Sequence, residues 1–187
     1  MGTQRDADVW QQVLDGDSLG FGTLWDRHRD RVFGHLLKLG TPHDDAEDLT
    51  ATVFLELWRR RRSVRVVDGS LLPWLIVTAQ NVHRNAARSR RRYHRFLAVL
   101  PPPDHAPDPA ETSGVGSLTP EARRVLATSN ATDRRLLALT VLEGFTVKEA
   151  AAAAGVSEPA GKMRLSRLRA KLRTALEPPS CVKEVVP

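Results

Sequence analysis

Residues 133–173 read DRRLLALTVLEGFTVKEAAAAAGVSEPAGKMRLSRLRAKLR, which is three helical patterns separated by Gly144 and Gly155. Thr146 and Glu149 have the three-residue spacing of a capping box, so a short second helix is predicted to begin there. Gly155 provides the backbone freedom that a tight turn requires. A short helix, a glycine turn and a basic helix are the parts of a helix-turn-helix, in which one helix enters the DNA major groove.

The third helix of this segment has one apolar stripe and an otherwise basic surface. Leu165, Leu168 and Leu172 recur at the spacing that faces a helical core. The excess of cations favours DNA binding, and the alternative is a solvated basic face on an ordinary helical bundle. The candidate DNA-binding cations are Lys162, Arg164, Arg167, Arg169 and Lys171.

The composition of the 187 residues predicts an all-α protein. Hydrophobic residues make up 41% and aromatic residues 5%, and the alternating runs typical of strands are nearly absent. The single cysteine, Cys181, excludes an internal disulfide framework and a cysteine-based metal site. Because no segment approaches the ~18 apolar residues of a membrane span and no signal pattern begins the chain, we expect no membrane insertion and a cytoplasmic location.

The net charge of +6 is unevenly distributed along the chain. Residues 1–57 contain 11 Asp/Glu and 5 Lys/Arg, whereas residues 58–100 contain 1 and 11. Residues 101–118 contain 3 acidic and no basic residues, and residues 119–187 contain 7 acidic and 12 basic ones. An acidic surface followed by two basic ones indicates two kinds of partner.

The sequence predicts two small helical domains joined by a flexible linker. In the first domain we expect helices near Phe21–Leu39, Asp44–Trp58 and Leu71–Arg92, with a loop over Ser63–Ser70. The core stripe of the third helix is predicted to be Leu72, Leu75, Ile76, Ala79 and Val82. The predicted bounds are an N-terminal extension over 1–18, the first domain over 19–96, a Pro- and acid-rich linker over 97–118, a helix-turn-helix domain over 119–176 and a disordered tail over 177–187.

A second face of the predicted Leu71–Arg92 helix combines an aromatic ring, amides and cations at helical spacing. Such side chains can stack on bases and pair with phosphates, which is the chemistry of single-strand capture. The alternative for Trp74 is burial in the core. The arginines that follow, through Arg95, extend the basic surface. The candidate residues are Trp74, Thr78, Asn81, Arg84, Asn85 and Arg88.

The acidic start of the Asp44–Trp58 helix is explained better by helix capping and protein docking than by a metal site. Its carboxylates follow one another around a helix start, and no glycine-bearing loop positions them for a cation. The sequence also lacks a phosphate-binding glycine loop, a His-Glu-x-x-His motif and a nucleophile elbow. We therefore predict no enzymatic activity, no metal and no cofactor.

Both predicted domains resemble the extracytoplasmic-function (ECF) type of bacterial RNA polymerase sigma factor, over roughly Phe21–Arg95 and Thr119–Leu176. The DAEDL and FLELW motifs are similar to the polymerase-docking helix of the family. LPWLIVTAQN followed by arginines resembles its −10 element and melting helix, and GFTVKEA with KMRLSRLR resembles its −35 helix-turn-helix. In order, these motifs occupy Asp45–Leu49, Phe54–Trp58, Leu72–Asn81, Gly144–Ala150 and Lys162–Arg169.

The resemblance implies a sigma factor that binds core polymerase and promoter DNA. The acidic helix would dock on the clamp helices of the largest polymerase subunit, and the Ser63–Ser70 loop would capture a flipped base of the non-template strand. The helix from Glu158 would read the −35 duplex, and an anti-sigma factor is an expected partner. The alternative is a stand-alone helix-turn-helix regulator. The implied docking residues are Asp45, Glu47, Asp48, Leu49, Phe54 and Trp58.

Three short segments depart from the pattern of the family. Ala51-Thr52 stand where members often carry Gln-Glu, which predicts weaker docking. Pro159-Ala160-Gly161 replace a common Gly-Thr-Val, and Gly161 is expected to leave a gap in the packing and to cost ~1 kcal/mol in helix propensity. Thr128-Ser129-Asn130 interrupt the helix expected before Asp133.

Overall fold

The computed structural model describes residues 4–97 and 119–176, and these residues form eight α-helices with no strand among them. The all-α prediction is thereby confirmed. A 3-10 turn, Arg61–Ser63, follows α3, and a π-helical turn, Ala138–Leu142, continues α6. The helices are α1 Asp6–Leu14, α2 Ser18–Lys38, α3 His43–Arg59, α4 Leu72–Leu97, α5 Pro120–Thr128, α6 Ala131–Leu137, α7 Val147–Ala154 and α8 Glu158–Leu176.

Helices α1–α4 form block one around a shared apolar core. Phe54 of α3 lies in this core, and its ring meets the Trp25 ring edge-on with centroids 4.7 Å apart. Helix α1 lies within the predicted N-terminal extension, yet its Val9, Trp10 and Val13 are buried in the same core. The extension therefore contributes to block one in this structure. The predicted domain bounds themselves stay a prediction.

Helices α5–α8 form block two, and their ends follow the expected local signals. The capping box of Thr146 and Glu149 is present at the start of α7. Gly155 ends α7 with φ of 74°, in the left-handed region that a residue with a Cβ rarely adopts. Asn130 accepts a hydrogen bond from the Thr132 amide and caps α6. The polar interruption before Asp133 is therefore a helix boundary.

Gly161 packs tightly, so the expected gap in packing at this residue is wrong. The residue is buried in α8, and a Cβ added there would lie 3.1 Å from the Cβ of Ala151 and 3.7 Å from Cγ1 of Val147. The missing side chain permits the close approach of α7 and α8.

The two blocks are packed together, and α4 contributes to both cores. Leu75 and Ala79 face the core of block one, as predicted. Ile76 is instead buried in block two beside Leu136 and Leu139, with Leu72 packed against the same cluster. Leu72 and Ile76 thus pack in a core, as the stripe predicted, but this core is that of block two. Helical spacing does not reveal that a second block covers the neighbouring face.

A buried carboxylate also joins the two blocks. The Glu143 side chain is 0% exposed. It receives the Arg31 guanidinium at 2.9 Å, the Lys38 ammonium at 3.1 Å and the His35 imidazole at 2.8 Å, all from α2. Burial opposes ionisation of Glu143, but these three hydrogen bonds outweigh it and lower its pKa to about 2. The carboxylate is therefore ionised at neutral pH and pairs with cations of block one.

No described helix has the length and apolar character needed to cross a membrane.

Candidate nucleic-acid and polymerase interfaces

A groove of about 970 Å³ runs along α4. The stripe that begins at Trp74 lines this groove, together with residues of α3 and of the loop before α4. The end of α7 closes part of the groove from block two. Its lining includes Trp74, Thr78, Asn81 and Asn85 of α4, Thr52 and Glu56 of α3, Ser63, Arg65 and Val67 of the loop, and residues 152–155.

Trp74 has features of both predicted roles, core packing and base stacking. It packs against the core of block one, and it also lines the groove. Four of the six candidate residues of the stripe therefore share one concave surface. Arg84 lies toward a second cavity, near Arg135, and Arg88 is exposed.

The side-chain oxygen of Asn81 is hydrogen-bonded to a residue of block two. It accepts hydrogen bonds from Arg84 at 2.8 Å and from Arg135 of α6 at 2.9 Å. Burial, together with the nearby Arg84 charge, lowers the pKa of Arg135 from its ordinary value. A base could use the Asn81 oxygen only after Arg135 moves away.

The loop before α4 is a compact turn with a defined conformation. Val67 and Ser70 pair through two main-chain hydrogen bonds of 2.9 and 3.0 Å. Asp68 and Gly69 lie between them with φ of 48° and 82°, and a non-glycine residue in that region is uncommon. The loop thus holds a fixed shape at one end of the groove.

The acidic helix α3 exposes a different set of residues from the one predicted. Phe54 is 2% exposed and belongs to the core, so its assignment to the docking surface is corrected. Leu49 is half-buried against that core. Leu55 is 48% exposed and was missed. Its position three residues before Trp58 places both on one face, and this spacing could have revealed it.

The remaining docking candidates differ in their partners. Glu47 and Asp48 are exposed, whereas Asp45 pairs with Arg90 of α4. Trp58 is 42% exposed, and the Arg61 guanidinium stacks 4.7 Å from its ring centroid. The exposed face of α3 is therefore acidic near its start and apolar near its end.

The cations of α8 lie on two flanks of the helix. Leu165 and Leu168 are buried as predicted. On one flank, Lys162, Arg169 and Arg173 line a shallow groove with Val147 of α7. Lys162 also pairs with Glu158 at 2.7 Å. This flank presents three cations beside the short helix of the helix-turn-helix.

The other flank of α8 contacts α6 of the same block. Arg164 donates to Asp133 of α6 at 2.8 Å. Lys171 follows Arg164 by seven residues and so lies on the same side. Arg167 and Lys171 are exposed. Within residues 4–97 and 119–176, no three His, Cys, Asp or Glu side chains lie close enough together to hold a metal ion.

Comparison with known proteins identifies the family to which this chain belongs. Residues 24–93 match the family model Sigma-70 region 2, and residues 104–178 match the model ECF sigma factor. The RNA polymerase sigma factor CarQ of Myxococcus xanthus is 31% identical over 170 residues, which cover 89% of this chain and 94% of CarQ. The chain belongs to the ECF sigma factor family. It directs transcription initiation by RNA polymerase, and the comparisons do not favour a stand-alone regulator.

Other relatives of this sigma factor include the RNA polymerase sigma factor NccH of Alcaligenes xylosoxydans xylosoxydans, 26% identical over 89% of this chain and 92% of NccH. Among solved structures, CnrH in complex with the cytosolic domain of CnrY is 25% identical with a TM-score of 0.59, covering 91% of this chain and 96% of CnrH. The sigma factor RpoE in complex with the anti-sigma factor NepR, from Bartonella quintana, is 25% identical with a TM-score of 0.51, covering 83% and 96%.

Proposed function

We propose that this sigma factor uses three separate surfaces in initiation. The exposed face of α3 docks on the clamp helices of the largest polymerase subunit. Glu47 and Asp48 provide its charge, and Leu55 with Trp58 provides apolar area. Charged groups guide encounter, while buried aromatic and aliphatic side chains hold a docked partner. Leu49 is half-buried against the core and lines the α4 groove, and Asp45 pairs with Arg90 of α4.

The groove along α4 is the proposed −10 site. An indole ring, two amides and a hydroxyl lie along one concave wall, which suits unstacked bases better than a duplex. The arrangement of Trp74, Thr78, Asn81 and Asn85 along this wall is the observation that carries the assignment. Arg84 and Arg88 lie beside the groove and would neutralise the phosphates.

Helix α8 is the proposed −35 reader. Its Leu165–Leu168 stripe anchors it to the other helices of block two, so its basic surface faces away from that core and can enter the major groove. Phosphate contacts from its cations would supply affinity, and side chains near the Glu158 end would reach base edges. The helix uses Lys162, Arg164, Arg167, Arg169 and Lys171 in this assignment.

Binding both promoter elements requires the two blocks to separate. The elements lie about 25 base pairs apart, which is ~85 Å of B-form DNA. In this structure α4 and α7 are in contact, and Arg135 donates a hydrogen bond to the side-chain oxygen of Asn81. Residues 98–118 separate the two blocks in sequence, and any chain of 21 residues has a maximum length of ~70–75 Å, which is most of this distance. We infer that the packed arrangement is the form of the free protein.

Two further parts of the proposal come from relatives. The structures of CnrH with CnrY and of RpoE with NepR support an anti-sigma factor as a partner of this chain. The protein would act by binding, with no catalysis, cofactor or metal of its own, in the cytoplasm where polymerase transcribes. The bounds 19–96 and 119–176 remain the proposed domains.

Reconstituted transcription tests the assignments, with core polymerase and the genomic DNA of the source bacterium as template. Asn85→Ala should slow promoter opening with −35 binding intact, and Arg167→Ala should weaken −35 binding with opening intact. Leu55→Ala should weaken core binding. Arg29→Ala, an exposed α2 variant, is the control. Equal behaviour of all four variants would contradict the assignments.

A further inference from the structure

Asp6 of α1 is a buried carboxylate to which the function described above gives no role. The residue is 4% exposed and lies ahead of residues 24–93, the segment that matches Sigma-70 region 2. Its two oxygens contact four donors from two separate elements. Buried carboxylates are costly unless they are paired and hydrogen-bonded, so this arrangement has a structural consequence for both elements.

Two of the donors belong to α2. Arg27 donates to Oδ1 at 2.6 Å, and Nε2 of His28 lies 2.7 Å from Oδ2. Burial opposes ionisation, but the hydrogen bonds from His28, Leu71 and Arg27 outweigh it and hold the pKa of Asp6 well below its usual range. Helix α2 thus fixes the position of the carboxylate from one side.

The other two donors lie where the Ser63–Ser70 loop meets α4. The Ser70 hydroxyl and the Leu71 amide donate to Oδ2 at 3.0 and 2.8 Å. The Ser70 oxygen in turn accepts from the Leu72 amide at 3.2 Å, and the Ala7 amide donates to the Gly69 carbonyl at 3.3 Å. The carboxylate therefore caps the start of α4, where the first amides have no partner within the helix.

The same contacts set the geometry of the groove. Val67 of the loop is paired with Ser70, and Val67 and Arg65 line the same groove as Trp74. A shift of Ser70 would move this part of the groove lining relative to α4. Positioning within about 0.5 Å is what a recognition site requires of the residues that support it.

We propose that Asp6 is a positioning residue for −10 recognition, through which α1 fixes the Ser63–Ser70 loop against the start of α4. This inference rests on the proposed function of the groove. Asp6 contacts no DNA in this account. It acts through Ser70 and Leu71, so its loss should alter selectivity for the −10 bases before it alters the fold.

The test compares full-length Asp6→Asn and Ser70→Ala with wild type, each bound to core polymerase. Asp8→Asn is the matched control, because it removes the same charge from an exposed site two residues away, where Asp8 pairs loosely with Arg5 at 3.5 Å. The probe is a fork-junction DNA with the single-stranded −10 element of a promoter that wild type transcribes, and the same probe with one −10 base replaced.

Asp6→Asn should reduce the preference for the correct base by about tenfold, equivalent to ~1.4 kcal/mol. Ser70→Ala should reduce it in the same direction. Core affinity, −35 duplex binding and helical content should match Asp8→Asn. Since Ser70→Ala removes only a hydroxyl, it gives the decisive result if Asp6→Asn does not fold.

Two results would overturn the inference. One is an unchanged base preference in the folded variants, and the other is an equal loss of core, −35 and −10 binding, which indicates a purely structural role. If wild type itself shows no −10 base preference, the proposed function of the groove fails, and this outcome is distinct because it does not depend on Asp6.

Discussion

Replacing Glu143 with Gln should release block two from block one while each block stays folded. Gln has nearly the shape of Glu but cannot form ion pairs with Arg31 and Lys38. His35, which is 0% exposed, loses its charged partner. Because the carboxylate lies at the junction of the blocks, the contact that is lost is chiefly the one between them.

The size of the effect follows from the pKa of Glu143. A fall from 4.5 to about 2 corresponds to ~3 kcal/mol that favours the ionised form in the folded state. The Arg31 and Lys38 side chains are 50% and 48% exposed, so water screens part of this energy. We expect ~2 kcal/mol to be lost, which raises the open fraction about 30-fold relative to wild type.

The pKa of Glu143 also determines how its contribution to stability changes with pH. The folded pKa of Glu143 is lower than its unfolded pKa, so the stabilisation is complete above pH 4.5 and is lost as the pH falls toward 2. At neutral pH wild type should therefore remain closed.

A distance measurement between two spin labels checks this prediction. Exposed Asp26 of α2 and Met163 of α8 would be replaced with Cys, and Cys181 with Ser. Glu121→Gln, which removes a charge from an exposed position of α5, is the control. A longer distance component should increase in Glu143→Gln alone. Identical distance distributions in both variants would show that Glu143 does not hold the two blocks together.

Three further outcomes are expected. Phe54→Ala should cost ~3–5 kcal/mol of unfolding free energy in a denaturant titration, whereas Leu55→Ala should change it by less than ~0.5 kcal/mol; equal losses would contradict the burial of Phe54. Gly161→Leu should lower the free energy of unfolding by ~1–3 kcal/mol in the same titration because it overpacks the α7–α8 contact. A higher free energy of unfolding would instead indicate that a gap exists beside Gly161. Arg167→Ala should reduce the salt slope of −35 duplex binding by about one, and an unchanged slope would place Arg167 away from phosphate.

Local signals in the sequence predicted much of block two. The capping box at Thr146, the left-handed turn at Gly155 and the Leu165–Leu168 stripe all depend on residues within a few positions of one another. Their hydrogen-bonding and steric requirements are met inside one helix or turn, so the surrounding fold does not alter them.

Contacts between distant segments could not be predicted in this way. Glu143 meets His35 across 108 positions, and Asp6 meets Leu71 across 65. Helical spacing places Ile76 and Phe54 on a face but does not show what covers that face. Nothing in the sequence around Gly161 indicates that Ala151 lies against it.

The most direct test combines DNase I and permanganate footprinting of the complex between core polymerase, this sigma factor and a transcribed promoter. DNase I should show protection of the −35 duplex, and permanganate should show reactive, unpaired thymines in the −10 element. Both signals should require the sigma factor, and the −10 signal alone should weaken in Asn85→Ala. Protection of duplex DNA by the sigma factor without polymerase, and without opening of the −10 element, would contradict the proposed function.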